Sequence, residues 1–468
     1  MPINSFDDYP MSWRPMRPTD EKPLYLALAA QLERDILDGT LLPGTRLPPQ
    51  RELADFLDIN VSTVTRAFRL CRQKGLLSGT VGSGTFVAYD ARASLSVMPQ
   101  NPGCRLLEMG SVMPPPVPFG AAADLLHKMI QEPDFHRLLG YGALEAAPWH
   151  REAAVRLMAQ AGFAALPELL LAANGGQNAI AATLAGLFRP GDCIGADPLT
   201  YPGLKSAASL LGIELVPVAQ KDRELSEAGL QYACKNHRIK GLFVMPDHQN
   251  PTTHTMSPAC RAMIARLAAR YDLIVIEDAI HSLMLPRPQP AIASLAPEHT
   301  VYLFSLSKAV SPGFRFSYAV PPWRYFGRLK EALYSLNLTV SPLLQEFASR
   351  LIASGRALEI AKQERDQAIR RNGIADAQLQ SWTLLGGPTC IFRWLLLPEG
   401  WTGEAFEAAA RERGVQVYGA QRFAVGKARP EPAVRLAMTA IEEEAAFVRG
   451  LGILRSILEN PSLYCAQF

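Results

Sequence analysis

The chain has 468 residues, too many for one ordinary core, and this length predicts about three domains. Hydrophobic residues make up 48% of it, enough to fill large buried cores, so the composition excludes a disordered protein. With 47 basic and 44 acidic residues the net charge is only +3. The distribution of charge along the chain must therefore decide whether nucleic acid is a partner.

The N-terminus is polar and the cysteines are scattered. Residues 1–22, predicted as an N-terminal extension, contain prolines and lack the apolar core of a secretion signal. No stretch reaches the roughly 18 uninterrupted apolar residues of a membrane span. The seven cysteines form no CxxC pair, so neither a disulfide framework nor a metal site is predicted. We expect a cytoplasmic protein without membrane association.

Residues 23–89 are predicted to form three helices followed by two short strands. Apolar residues recur at helical spacing from Leu24 and predict the first helix. A second helix is expected from Pro49 to Leu57, and Ser62 is the expected N-cap of a third. Two short strands lie on either side of residues 82–84. This order is that of a winged helix-turn-helix domain.

Basic residues concentrate in the second part of this unit. From residue 46 onward six basic residues face only three acidic ones, which favours DNA binding over an ordinary helical docking domain. Polar and basic residues around the second and third helices are the candidates for contacts to phosphates and base edges. They are Arg46, Arg51, Ser62, Thr63, Thr65 and Arg66.

The same segment resembles the DNA-binding domain of the GntR family. The resemblance lies in PLYLALAAQLERDILDGTLLPGTRLPPQRELADFLDINVSTVTRAFRLCRQKGLL and in GSGTFV. It implies that double-stranded DNA is a partner. The wing, residues 79–84, lacks the basic residue that the family often carries there.

The rest of the chain predicts a linker and two further domains. Residues 90–118 contain six prolines and predict a semi-extended linker. Over residues 119–321 short apolar runs alternate with helical patterns, which predicts a large α/β domain with a mostly parallel sheet. Residues 322–468 predict a smaller α+β domain. The apolar runs are Cys193–Ala196, Ile213–Val218, Gly241–Met245, Leu273–Ile276, Val301–Phe304 and Phe316–Val320.

Glycine and polar residues cluster where these strands end or helices begin. Open α/β sheets bind ligands at that edge, and a helix N-terminus favours an anion. Each residue alone has an ordinary interpretation as a turn, a cap or a solvated lysine, so the joint pattern carries the prediction. The residues are Gly175, Gly176, Gln177, Asn250, Asp278, Ser305, Ser307, Lys308 and Arg315.

These residue types suit one kind of chemistry. A lysine in a cleft can lose its proton and form a Schiff base with an aldehyde, as Lys308 could. Asp278 could keep a pyridine nitrogen protonated, and Asn250 could donate to a phenolate oxygen. Arg315, the serine hydroxyls and the glycine N–H groups could hold a phosphate.

The pattern resembles the fold-type I aminotransferases that depend on pyridoxal 5'-phosphate (PLP), over roughly residues 105–445. The motif SLSKAVSPGFR implies an internal aldimine on Lys308, NPTT places Asn250 at the phenolic oxygen, and IED places Asp278 at the ring nitrogen. DPLTYPG implies that Tyr201 stacks on the ring. AVRLAM implies that Arg435 binds a substrate carboxylate.

Two further positions bear on this resemblance. YGALEAAPWHREAAVRLM implies that Tyr141 reaches the phosphate of the partner subunit. Where the family usually has a tyrosine bonded to the phenolic oxygen, this chain has Ile280 and His281. His281 either replaces that tyrosine as a donor or is a structural histidine.

The order of a GntR-like domain, a linker and an aminotransferase-like body resembles the MocR subfamily of bacterial regulators. The resemblance implies a head-to-tail homodimer with domains exchanged between subunits, and an amino acid, an amine or PLP itself as effector. In this hypothesis the effector displaces Lys308 from the aldimine and shifts the DNA-binding domains. Two alternatives stay open: an aminotransferase with an accessory DNA-binding module, and a PLP-free scaffold for dimerisation.

Overall fold

The computed structural model describes residues 11–16, 23–38, 40–42, 44–74, 76–80, 84–88, 106–114, 119–142, 146–427 and 429–460. It divides the chain into two compact units, Met1–Gln100 and Asn101–Phe468. The centre of the wing, residues 81–83, and linker residues 90–105 and 115–118 lie outside the described residues.

The first unit is a small helical domain with a hairpin. Its elements are α1 (Leu24–Asp38), α2 (Gln50–Leu57), α3 (Val61–Gln73), β1 (Leu77–Thr80) and β2 (Gly84–Val87), and the two strands pair antiparallel.

The helices of this unit meet in one core. Leu32, Leu53 and Phe68, one from each helix, are fully buried there. Trp13, from the predicted N-terminal extension, is also buried in this core, and its Nε1 donates to Asp35 Oδ2 at 2.8 Å. The core of the first unit therefore includes residues that precede its first helix.

Asn60, and not the predicted Ser62, caps α3. The Asn60 backbone is extended, and its side-chain oxygen accepts a hydrogen bond from the Ser62 N–H at 2.8 Å. Ser62 lies within the first turn of the helix and is exposed. The prediction was wrong because two good capping residues stand two positions apart, and the sequence does not show which one leaves the helical conformation.

Replacing Asn60 with alanine should lower the free energy of unfolding by about 1 kcal/mol, because the amide N–H of Ser62 loses its partner. Urea denaturation of the protein, followed by hydrogen exchange of peptides from the first unit, measures this loss. Ser62→Ala is the matched control and should cost much less. An equal loss in both variants would contradict the assignment of the cap.

The second unit contains most of the elements. Its helices are α4 (Phe119–Ile130), α5 (Pro148–Gln160), α6 (Gly176–Leu187), α7 (Pro202–Leu210), α8 (Glu227–Tyr232), α9 (Pro258–Tyr271), α10 (Ile292–Leu295), α11 (Trp323–Asn337), α12 (Pro342–Ala353), α13 (Arg356–Gln378), α14 (Gly403–Glu412) and α15 (Glu444–Glu459). Its strands are β3 (Leu107–Glu108), β4 (Leu171–Ala173), β5 (Cys193–Ala196), β6 (Glu214–Pro217), β7 (Gln220–Lys221), β8 (Glu224–Leu225), β9 (Gly241–Val244), β10 (Ile274–Asp278), β11 (Thr300–Ser305), β12 (Ser317–Val320), β13 (Leu384–Leu385), β14 (Phe392–Leu396), β15 (Val415–Gln416), β16 (Tyr418–Gly419) and β17 (Ala433–Ala437).

A seven-stranded sheet organises the larger part of this unit. Its order is β4-β12-β11-β10-β9-β5-β6, and β12 alone runs antiparallel to its neighbours. The six apolar runs predicted from the sequence are all strands of this sheet. β4 was not predicted because it has only three residues. The central strands are buried on both faces, as expected where helices cover a parallel sheet.

A second sheet of four strands, β13-β14-β17-β16, forms the smaller part. It packs with α13, α14 and α15 around buried residues that include Phe406, Leu436 and Leu454. The predicted fold class, a large mostly parallel domain with a smaller α+β domain, is confirmed.

Residues 107–113, here called the strap, form part of this unit, although they lie in the predicted linker. Within the strap, β3 pairs parallel with β15, and Met109 is fully buried in the core of the smaller part. The apolar alternation of Leu107 and Met109 was obscured by the prolines that follow.

In the described part of the chain, none of the helices combines the length and the apolar character that crossing a bilayer requires. The same residues contain no group of three or more histidine, cysteine or acidic side chains that could hold a metal ion.

Candidate functional site

Several predicted site residues of the second unit meet at one edge of the large sheet. Asp278 is the last residue of β10, and in the register of the parallel pair it lies opposite Leu303 of β11. Lys308 follows the end of β11 by three residues, and Asn250 follows β9. Because the carboxyl ends of parallel strands share an edge, these side chains come together there.

Lys308 is partly buried, and its Nζ donates to the backbone carbonyl of Val112. Burial, helped by the positive charges of Arg435 and Arg315, lowers the pKa of Lys308 to about 8, against the opposing effect of Asp278. A lowered pKa makes the neutral amine more accessible near neutral pH. The neutral amine is the form that attacks an aldehyde.

Asp278 is only 5% exposed, and burial raises its pKa to about 7. The Ile280 N–H, 3.2 Å from Asp278 Oδ1, and the charge of Lys308 act in the opposite direction. A buried carboxylate with so few partners is stabilised by a further cationic or N–H group. A protonated ring nitrogen would meet that need.

Arg435 lies on β17 and is held by two short hydrogen bonds. Its Nη1 donates to Asn250 Oδ1 at 2.6 Å and its Nη2 to the Gly110 carbonyl at 2.6 Å. The Nε is buried and has no partner among the described residues. Burial lowers the Arg435 pKa to about 10, so the side chain keeps its charge. An incoming carboxylate could satisfy the remaining N–H group.

Aromatic rings enclose this guanidinium. The rings of Phe392, Tyr418 and Phe423 lie with their centroids 5.7, 5.5 and 4.8 Å from the Arg435 Cζ. None of the three was predicted from the sequence, where they are isolated aromatic residues far along the chain from Lys308 and Asp278. The rings exclude water from the guanidinium, so the ion pair between Arg435 and a bound anion is stronger than it would be in water.

Predicted phosphate-binding groups gather at the start of α6. Gly175 has φ +86° and precedes the helix, and a Cβ there would lie 2.6 Å from Arg315 Nη2. Arg315 Nη2 in turn donates to the Asn174 carbonyl at 3.3 Å. This close approach of a guanidinium to a helix N-terminus makes a site suited to an anion.

Hydroxyl groups adjoin the same helix start. Ser305 Oγ lies 3.1 Å from Ser307 Oγ and accepts from the Ser307 N–H at 3.2 Å. A Cβ placed on Gly176 would be 3.6 Å from the Ser305 Cβ. Gln177 is directed elsewhere: its Nε2 donates to the Gly203 carbonyl at 2.8 Å, so it holds the start of α7.

Tyr201 precedes α7 and lies among the charged groups of the site. Burial raises its pKa, and the charge of Asp278 adds to that effect while Arg435 and Arg315 oppose it. Tyr141, in contrast, is 87% exposed and is not gathered with the other predicted residues in this chain.

His281 is buried, with 2% of its surface exposed, beside His248 and Phe392. The centroid of the His281 ring lies 6.5 Å from that of His248 and 5.4 Å from that of Phe392. The His281 Nδ1 has no partner among the described residues. Burial, with the nearby His248 and Lys308, lowers the His281 pKa well below its usual value. The ring is therefore neutral, with one nitrogen open to a further partner.

In the first unit, most of the predicted DNA contacts are accessible. Arg46, Arg51, Ser62 and Arg66 are exposed, and Thr63 is half-buried. Thr65 is the exception, because its hydroxyl donates to Gln50 Oε1 at 2.7 Å.

The comparisons with known proteins match the two units separately. Residues 24–87 match the family of bacterial regulatory proteins of the gntR type, and residues 117–447 match aminotransferase class I and II. This chain is a MocR-type regulator. It combines a DNA-binding GntR domain with a domain of the PLP-enzyme type, as predicted from the sequence.

Relatives of this MocR-type chain carry regulator names. It is 48% identical to the uncharacterized HTH-type transcriptional regulator YdeF of Bacillus subtilis over 460 residues, which cover 98% of this chain and all of YdeF. It is 26% identical to the pyridoxine biosynthesis transcriptional regulator PdxR of Corynebacterium glutamicum, over 78% of this chain and 79% of PdxR. The chain is thus a transcriptional regulator.

Solved structures show the same fold for the body of this MocR-type chain. An archaeal alanine:glyoxylate aminotransferase matches with a TM-score of 0.70 at 20% identity, over 86% of this chain and 99% of that enzyme. The α-aminoadipate aminotransferase LysN of Thermus thermophilus matches with a TM-score of 0.71 at 20% identity, over 84% and 97%. These likenesses establish the fold.

Proposed function

We propose that this regulator carries PLP on Lys308 and changes its action on DNA when an amino compound takes the place of that lysine. One observation above all supports the proposal. A partly buried lysine of lowered pKa lies among Asp278, Arg315 and Arg435 at the carboxyl edge of the sheet. This is the set of charges that an aldehyde cofactor with a ring nitrogen and a phosphate needs.

The residues fit PLP group by group. Lys308 would hold its aldehyde carbon, Asp278 its ring nitrogen and Tyr201 the face of its ring. Asn250 Oδ1 accepts a hydrogen bond from Arg435. The amide N–H groups of Asn250 are therefore left to donate to the phenolic oxygen of PLP. The phosphate would lie against Arg315, with Gly175, Gly176, Ser305 and Ser307. When bound, PLP supplies an aldehyde carbon that can exchange one amine for another.

Arg435 would select effectors that carry a carboxylate. Its unpartnered Nε is buried among aromatic rings, where a paired anion is stabilised more than in water. A simple amine would leave this group without a partner. Amino acids are therefore the preferred class of effector in this proposal.

The proposal includes a homodimer. Tyr141 is strongly exposed in the single chain, as expected if it contacts the site of a second copy.

The relatives PdxR and PtsJ, named for pyridoxine biosynthesis and vitamin B6 salvage, favour PLP itself as a second candidate signal, at 26% and 24% identity.

Absorbance spectra of the purified protein, titrated with a panel of amino acids, test this function. A PLP band that shifts with one compound and stays shifted is the expected result. Conversion to the pyridoxamine form, with recovery on adding a keto acid, would instead make the protein a working aminotransferase. The absence of any PLP band after incubation with the cofactor would contradict the proposal.

A further inference from the structure

The strap passes across the candidate site and continues, on its N-terminal side, into the residues that lead from the DNA-binding unit. Its first half is fixed by backbone hydrogen bonds. The Leu107 N–H donates to Gly414 and the Met109 N–H to Gln416, both at 2.8 Å. The Ala437 N–H donates to the Met109 carbonyl at 2.6 Å, two residues along β17 from Arg435.

Its second half is held by side chains of the site. Arg435 donates to the Gly110 carbonyl at 2.6 Å, and Lys308 donates to the Val112 carbonyl. The Ser111 hydroxyl lies 2.9 Å from the Tyr418 hydroxyl. Two alternate carbonyls of the strap therefore rest on the residues predicted to bind the effector carboxylate and the cofactor aldehyde.

Little room separates the strap from the wall of the site. A Cβ on Gly110 would lie 2.5 Å from Cδ1 of the Tyr418 ring, so only glycine lets the backbone pass this close. The Glu108 carboxylate accepts from the N–H groups of Gly110 and Ser111, at 2.8 and 2.7 Å, and fixes the turn between the two halves.

We infer that the strap reports whether the amine of Lys308 is free, by gaining or losing the hydrogen bond from Lys308 Nζ to the Val112 carbonyl. This inference rests on the proposed function and names its regulation. A primary amine has two N–H donors, and three in its ammonium form, and can make this bond in several orientations. A lysine nitrogen double-bonded to an aldehyde carbon keeps at most one hydrogen, in the plane of that double bond. It cannot hold the strap in the same way.

The exchange of amines is balanced without an oxidant or a reductant. The incoming amine forms a C=N bond to the aldehyde carbon, and the C=N bond to Lys308 breaks. The two hydrogens that the incoming nitrogen gives up pass to Lys308, which returns to a primary amine. Lys308 then donates to Val112, and the strap is held. The strap is continuous in sequence with the chain that leads to the DNA-binding unit. A change between the held and the released strap can therefore be transmitted along the chain to that unit.

Hydrogen exchange of the full-length, PLP-loaded protein tests this inference, with methylamine as the probe and mass spectrometry of peptides that cover the strap. Absorbance of the same samples shows whether methylamine has displaced the lysine. We expect strap amides to exchange about tenfold more slowly once methylamine has shifted the spectrum. Peptides from the buried strand β9 should not change.

Two variants test whether the hydrogen bond from Lys308 to Val112 is the cause of the slower exchange. Lys308→Ala should exchange rapidly at the strap, with or without methylamine, because the donor is gone. Thr439→Val removes a neighbouring 3.4 Å bond to the Met113 carbonyl but leaves Lys308 in place, so it should keep the methylamine response.

The outcomes distinguish the two proposals. A shifted spectrum with unchanged exchange at the wild-type strap would overturn the inference and leave the proposed function standing. A PLP spectrum that changes neither with saturating methylamine nor with any amino acid of the panel would overturn the proposed function, and this inference with it.

Discussion

Replacing Lys308 with alanine should abolish the covalent attachment of PLP. The other groups that hold the cofactor remain in that variant, so PLP can still bind, but no amine at the site can form the bond to its aldehyde carbon. Borohydride reduction followed by peptide mass spectrometry measures the effect directly. The wild-type peptide that contains Lys308 should gain the mass of reduced PLP, and the variant should gain none.

Lys240→Ala is the matched control, because Lys240 is an exposed lysine paired with Asp192 at 2.6 Å and lies outside the site. It should be labelled at Lys308 as the wild type is. Stoichiometric labelling of another lysine in the Lys308 variant would show that the cofactor is held elsewhere.

Replacing both Arg51 and Arg66 with alanine should weaken the binding of a random-sequence DNA duplex by about 100-fold at moderate salt. Both side chains are exposed, Arg51 in the first turn of α2 and Arg66 in the second turn of α3, on helices that this type of domain presents to DNA. For each phosphate that an arginine no longer neutralises, the slope of log affinity against log salt should fall by about one. Fluorescence anisotropy at several salt concentrations measures both quantities.

Arg34→Ala is the control for this pair. Arg34 is exposed on α1 of the same unit but was not predicted to contact DNA. It should change affinity and salt slope far less than the double variant. Equal effects in the two proteins would mean that binding depends on the overall charge of the unit and not on these two helices.

The large sheet and its edge could be predicted because local sequence carries that information. Strands buried on both faces appear as short apolar runs, and polar residues that follow them in a parallel sheet must meet at one edge. Lys308, Asp278 and Asn250 could be brought together on this reasoning alone. Their positions relative to Arg435 could not, since β17 belongs to a different sheet.

What could not be predicted depends on packing between distant segments. Phe392 and Tyr418 lie near Arg435 only because β14, β16 and β17 share a sheet, and Phe423 approaches it from the end of the short helical turn that follows β16. The hydrogen bond that Thr65 donates to Gln50 depends on how α3 packs on α2. The strap was hidden for a similar reason: a two-residue strand has no periodicity of its own, and its partner β15 lies about 300 residues away in the sequence.

The position of Met109 has a consequence for studying the body without its DNA-binding domain. Its side chain is fully buried in the same core as Leu451, and both its N–H and its carbonyl are hydrogen-bonded to strand residues. A shortened chain that starts at residue 119 would lack this residue, leave a cavity in the smaller part and strand the Ala437 N–H without an acceptor. Truncation before Leu107 preserves these interactions, so a shortened chain should begin no later than the strap.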